Sequence, residues 1–434
     1  MQMIKLSVIA LAVAAASTQL AVASQQSESN GFIEDSKLDA HARVLYMNRD
    51  FRNDTGSTRN NYDEETGLGL KAIYESGFTQ GTVGFGVDAF GLQGIKLDSG
   101  GGTHDGLRMF PTDGRSGKAQ DNYSQAGGAV KARLSNTTIK YGEQFVDLPV
   151  LSTDDSRLLP ETATGFLVTS NEIENLELNL GHFTALSAMN QTFHDSLNGG
   201  WLRSLDLVGG RYNFNDDLSV AYYYSDASLG HKGAGRGTIK KHYTNANYTL
   251  PLADTQSLNF DFNMYNTKLN GKDQPRGDRT SKNDAWSLAA AYTLDAHTLT
   301  VGHQRVTGGE DEGYVYGYDG GGAVYLLNDV QYNDFTQKGE KSYQVRYDID
   351  MATFGVPGLS FMTRYIRGTN IENGARHNGK NWERDTEAKY VLQNGVAKDL
   401  SFRLRQATFR ANDAANKVDV NEVRLIVEYP LSIL

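Results

Sequence analysis

The chain has 434 residues, of which 39% are hydrophobic, 46 are Gly, 23 are Tyr, 7 are Pro and none is Cys, and its formal net charge is −10. The absence of Cys excludes disulfides and thiolate metal sites, and the acidic balance argues against nucleic acid as a partner. A chain of this length held without covalent staples needs another means of closure. A hydrogen-bonded barrel supplies one, because every backbone group is paired and no sheet edge stays open.

In chain order, residues 1–24 read as a secretory signal. Lys5 gives the positive start, Leu6 to Ala16 the apolar run, and Ala21-Val22-Ala23 or Val22-Ala23-Ser24 the small-residue cleavage site, so the mature chain is expected to begin near Ser24 or Gln25. Residues 25–434 are expected to form a single domain, since no Pro- or Ser-rich segment divides them. No apolar stretch there is long enough to cross a membrane as a helix, whereas period-two alternation recurs from end to end.

In the first strand Leu38, Ala40, Ala42, Val44 and Tyr46 share one face, and Asp39, His41 and Arg43 the other. Next, Leu68, Leu70, Ala72 and Tyr74 oppose Lys71 and Glu75, and Val130 and Ala132 oppose Lys131 and Arg133. Further on, Leu258, Phe260, Phe262 and Met264 alternate with Asn259, Asp261 and Asn263, and Tyr343, Val345, Tyr347 and Ile349 with Gln344, Arg346 and Asp348. Arg364 opposes Thr363 and Tyr365, and Lys389 opposes Ala388 and Tyr390. Arg403 and Arg405 oppose Leu400, Phe402 and Leu404, and Arg424 opposes Val423 and Leu425.

Soluble sandwiches alternate in the same way, so one strand does not decide the class. Loop lengths do. Connections alternate between short (77–81, 135–137, 295–297, 394–398) and long (93–122, 185–203, 308–341), as in outer-membrane barrels with tight periplasmic turns and long external loops. Counting from Leu38 to Leu431 gives about 18 antiparallel strands, the even number that closes such a barrel. A barrel of this size encloses an aqueous channel. Its inner face is then rich in cations. Each can be a solvated wall residue or pair with Asp261, Asp348 or Glu428, but a row of them in low-dielectric walls concentrates anions.

These residues carry a resemblance. The chain resembles the OprD family of substrate-specific outer-membrane porins, most specifically through Glu75-Ser76-Gly77-Phe78-Thr79-Gln80-Gly81-Thr82-Val83-Gly84-Phe85-Gly86-Val87-Asp88, Trp286-Ser287-Leu288-Ala289-Ala290-Ala291-Tyr292-Thr293-Leu294-Asp295 and Gly355-Val356-Pro357-Gly358-Leu359. The resemblance implies an 18-stranded transmembrane β-barrel in the Gram-negative outer membrane, with the third and seventh external loops folded inward as a constriction. It also implies a basic ladder for carboxylate-bearing solutes. Carried onto this chain, the ladder comprises Arg49, Arg59, Arg157, Lys389, Arg403, Arg405 and Arg424, with Arg43, Lys131, Arg133, Arg346 and Arg364 as further lumen cations. Asp329, Tyr332 and Asp334 form the facing acidic side, and Arg157 lies in the expected third loop, 146–162.

The expected function is passive uptake of small carboxylate-bearing solutes. Amino acids, basic ones favoured, small peptides and carbapenem-like antibiotics belong to one branch of the family, and aromatic carboxylates of the benzoate type to the other. Loop 193–201 departs from the first branch. A less selective diffusion pore is the other alternative. Partners are the solutes and the surrounding lipid and lipopolysaccharide, with a monomer or homotrimer as the assembly. No cofactor or metal is expected. The nine His form no His-Glu-x-x-His motif, no Gly-x-Ser-x-Gly is present, and Glu310-Asp311-Glu312 with Asp319 lacks regular calcium-ligand spacing.

Overall fold

The computed structural model describes residues 24–52, 62–98, 107–113, 118–197, 202–230, 236–273, 277–308 and 322–433. Residues 1–23 of the signal segment, Arg59 and the acidic cluster at 310–319 lie outside the described residues. The strands are β1 (Lys37–Arg52), β2 (Tyr62–Glu75), β3 (Val83–Asp98), β4 (Asn122–Leu134), β5 (Thr137–Gln144), β6 (Asp147–Leu148), β7 (Leu151–Ser152), β8 (Thr162–Ile173), β9 (Leu176–Ser187) and β10 (Leu202–Asn213). They continue as β11 (Leu218–Gly230), β12 (Arg236–Ala253), β13 (Gln256–Asp273), β14 (Gly277–Leu294), β15 (His297–Gly308), β16 (Lys341–Asp350), β17 (Leu359–Asn373), β18 (Arg376–Val391), β19 (Ser401–Ala411) and β20 (Asp419–Ser432).

All but β6 and β7 join one 18-stranded sheet, and β1 pairs antiparallel with both β2 and β20, so the sheet closes. β6 and β7 form a small separate ladder inside the third external loop. The long 185–203 connection expected from sequence is shorter than read, because β9 runs to Ser187 and β10 starts at Leu202.

Alternation sorts the side chains as lipid on one side and water on the other require. Phe85, Val130 and Val345 on the outer surface are 59%, 60% and 53% exposed. A sheet that leaves such groups uncovered in water is not stable, and hydrocarbon covers them. The inner face departs from the simple wet reading at one height. Leu45 and Met47 share the face of Arg43 yet are 1% and 0% exposed, packed with Leu107, Met109, Phe110, Leu158 and Leu159 from inward-folded loops. Gly67 and Gly69 on β2 allow that approach, since a Cβ would stand 2.6 Å from the Phe110 ring and 2.5 Å from the Leu158 carbonyl. The lumen is therefore partly filled by protein.

Candidate functional site

The third loop crosses the lumen. At one end the β6–β7 hairpin buries Leu148, Val150 and Leu151 against Phe183, Leu205, Tyr243 and Tyr265, and the Tyr265 hydroxyl donates to the Pro149 carbonyl at 3.0 Å. At the other end Asp155 takes Arg43 and Lys71, each at 2.8 Å, while Arg43 also donates to the Arg157 carbonyl at 2.6 Å. Burial alone raises a carboxyl, but Arg43 and Lys71 hold Asp155 below its ordinary value. The loop is thus bolted to the β1–β2 wall by charge and to the β9–β13 wall by apolar packing.

The seventh loop lies along β13–β20. Val324 and Leu326 join the apolar cluster of the third loop, and the Tyr325 hydroxyl donates to Asp147 of that loop. The Tyr332 and Asn333 amides donate to Glu383, both at 2.9 Å. The Arg424 guanidinium donates to the Gln331 carbonyl at 2.7 Å, and Gln304 donates to the Asp334 carbonyl at 2.9 Å. Two loops from opposite sides therefore meet inside the barrel, the seventh lying on the β18, β20 and β1 wall.

The expected cations fall into three groups. Lys389, Arg403, Arg405, Arg346 and Arg364 line one cavity of 530 Å³ together with Glu387 and Asp348. Register aligns Lys389 with Arg403 and Arg405 with Arg424 across β18–β20. Glu387 stands 3.7 Å from Arg403 Nε and 3.1 Å from Arg405 Nε, but neither Nε makes a hydrogen bond to a described group. Lys389 has no carboxylate partner among the described residues. In contrast Arg346 and Arg364 are saturated locally, by Asp348 at 2.7 Å and Asp385 at 2.6 Å.

The second group encircles Glu422, whose side chain is fully buried. Arg49 and Arg424 each reach it at 2.6 Å, Arg49 lies 5.0 Å over the Tyr332 ring, and Arg424 is only 4% exposed. Arg424 is therefore largely covered by the seventh loop instead of bordering open water. Arg157 stands near this cluster and is half-buried, its Nε donating to the Leu107 carbonyl at 3.0 Å. Burial and the Arg424 cation lower its guanidinium, Glu422 raises it and Arg49 lowers it, and the group still remains charged at neutral pH.

The third group is remote. Lys131 pairs with Asp88 at 2.6 Å, and both Lys131 and Arg133 sit over the Phe78 ring of the β2–β3 turn, toward the periplasmic mouth. They face inward as alternation requires but stand apart from the two loops.

On the acidic side, burial pushes Asp329 up to about 6 against the Val324 amide that it accepts from, with Asp154 adding to the rise. Burial likewise pushes Asp334 up to about 6, opposed by Lys417 and Arg157. Asp154 of the third loop thus acts on both, and sequence reasoning missed it; the only available signal was its place in Asp154-Asp155-Ser156-Arg157. Also missed was a second cavity of 760 Å³ under the loops, lined by Tyr223, Tyr243, Tyr325, Asn245, Asn247 and Asn263 among others. The period-two polar residues of β12 and β13 were its trace.

A sequence profile described as outer membrane porin, OprD family, matches residues 30–433. The chain is 47% identical over 463 residues to Porin D of Pseudomonas aeruginosa, covering 100% of both chains. Among solved structures, OccAB1 of Acinetobacter baumannii superposes with a TM-score of 0.86 at 34% identity, over 95% of this chain and 100% of that one. Pseudomonas aeruginosa OpdK, solved with vanillate, superposes with a TM-score of 0.78 at 33% identity, over 93% of this chain and 100% of that one.

Proposed function

The chain belongs to the OprD family of outer-membrane porins, and from that premise we propose that it passes small solutes bearing a carboxylate, foremost amino acids with a basic side chain. It is a channel of the Gram-negative outer membrane and not an enzyme, as its relatives are porins. One observation carries the substrate reading. Arg403 and Arg405 share a single carboxylate, Glu387, at 3.7 and 3.1 Å from their Nε atoms, and line a cavity of 530 Å³ next to the unpaired Lys389. A solute carboxylate meets the exposed guanidinium edges, whose planar fork suits it.

The second end of the solute is read from the facing loops. Asp329, Asp334 and Asp154 favour an ammonium or guanidinium, while Arg49 and Arg157 continue the basic side upward. Small peptides and zwitterionic β-lactams of the carbapenem type carry the same two ends. Partial neutralisation by Glu387 and Glu422 keeps each rung weak, so a bound solute can leave again. Passage on this reading is passive.

A second reading has a specific observation behind it. OpdK was solved with vanillate, an aromatic carboxylate, and such a molecule needs the basic wall but not the acidic loops. Proteoliposome swelling with arginine, agmatine and benzoate separates the readings. The proposal expects arginine to enter fastest. Benzoate faster than arginine supports the aromatic branch, and equal rates for arginine and agmatine describe a general diffusion pore.

A further inference from the structure

At the end that carries the long loops, the outer surface of the barrel is uneven around its girth. On β15–β18 the outward positions there hold Arg305, Lys341, Arg367, Lys380 and Arg384, none with a carboxylate partner among the described residues. No Asp or Glu faces outward on β15, β16 or β18. On β17 the only one is Glu372 at the loop end, and it lies 3.6 Å from Lys338 of the seventh loop. The same end of β1–β2 is the reverse, with Glu64 outward and Arg52 already bound to Asp50 at 2.6 Å.

An aromatic row fixes the depth of these cations. Trp286 meets His303 edge-on at 5.3 Å, His303 stacks on Tyr343 at 4.4 Å, and Tyr365 stacks on Trp382 at 5.8 Å. Below this row come aliphatic outward residues, Leu299 and Val301 at 47% and 46% exposed, before a second set of aromatics, Tyr347, Phe361 and Tyr390, nearer the periplasm. Aromatic girdles mark the edges of the apolar band, so the cations stand at the external lipid border. Arg305 and Lys341 are direct register partners, and Arg367 lies directly opposite both Tyr343 and Trp382. Like charges face to face destabilise a sheet unless an anion stands between them. Long basic side chains at this border can raise their heads into the headgroup layer.

We propose that this face of β15–β18 docks the phosphate groups of lipid A, the membrane anchor of lipopolysaccharide in the outer leaflet. The phosphates take the place of the missing carboxylates, the guanidinium groups bind them in bidentate fashion, and the aromatic row packs against the sugar and the upper acyl chains. The inference goes beyond the transport reading and does not depend on which solute passes.

The test is binding of bisphosphorylated lipid A and of chemically dephosphorylated lipid A to the purified barrel in detergent, followed by the shift of its thermal unfolding. The wild type is expected to bind the phosphorylated form at least about tenfold more tightly, with the preference shrinking as salt rises. The triple variant Arg305→Ala/Lys341→Ala/Arg367→Ala should lose the preference and keep its arginine conductance block. Equal affinity of the wild type for the two lipids overturns the proposal without any variant. So does a preference that survives the substitutions, or cross-linking that places a second copy of the chain on this face in lipid A-free detergent.

Discussion

Two regions of the inner wall solve the same problem in opposite ways. Over β9–β13 amide and hydroxyl side chains bond one another: Tyr223 donates to Asn179 at 2.8 Å, Tyr243 to Asn263 at 2.6 Å, and Asn259 to Asn247 at 3.0 Å. Over β16–β20 and β1 the wall is ionic, with cations and carboxylates interleaved and with Arg403 and Arg405 sharing one carboxylate. A network in which Asn245, Asn247 and Asn263 already donate to the Asp261 carboxylate offers a solute little that water does not. An ionic wall with spare donors gains by accepting an anion. The selectivity of the passage is therefore expected to reside in the ionic half, with the amide half as a wet, indifferent surface.

The largest break in that contrast should come from Glu422→Gln. Removing one partner of a buried ion cluster leaves Arg49 and Arg424 uncompensated and costs about 3–5 kcal/mol. Thermal unfolding of the variant should fall, and because Gln331 also donates to Glu422 at 3.2 Å, single-channel current should become noisier as the seventh loop loosens. Next comes Arg403→Ala/Arg405→Ala. Charge-assisted hydrogen bonds are worth about 1.5–3 kcal/mol, so the dissociation constant for arginine block should rise tenfold or more, at nearly unchanged stability.

A smaller effect follows from pH. Burial raises Asp329 and Asp334 to about 6, so both are mostly ionised at pH 7 and mostly protonated at pH 5. Block by a cationic amine such as agmatine should weaken several-fold over that interval, and Asp329→Asn/Asp334→Asn should flatten the profile. The stability sign is opposite. A carboxyl whose folded value lies above its unfolded one binds protons preferentially when folded, so these two groups add stability as pH falls through 6 toward 4. Least affected should be Asn247→Ala on the amide wall, with arginine block within about twofold of the wild type and a stability loss of about 1 kcal/mol.

The contrast was only half legible in the chain. Period-two alternation put Arg403, Arg405, Arg424 and Lys389 on the inner face because Phe402, Leu404, Leu425 and Tyr390 between them have nowhere to go but lipid. The same rule misjudged the surroundings of Leu45 and Met47, since alternation reports which face a residue takes and not what loop will later cover it. Glu422 gave no local signal. Its weight comes from Arg49, which is 373 positions away in the chain and adjacent only after β1 and β20 close the sheet. Arg424 looked like an open rung and is covered by Gln331, for the same reason. Loop contacts of this kind depend on chain-distant residues meeting, so a strand-by-strand reading could not supply them.

The most direct test is a cycle in planar bilayers, comparing block by arginine and by agmatine in the wild type and in Arg403→Ala/Arg405→Ala. If the ionic wall holds the carboxylate, arginine blocks the wild type more tightly than agmatine does, and the difference vanishes in the variant. An arginine-to-agmatine ratio that is the same in both proteins contradicts the account.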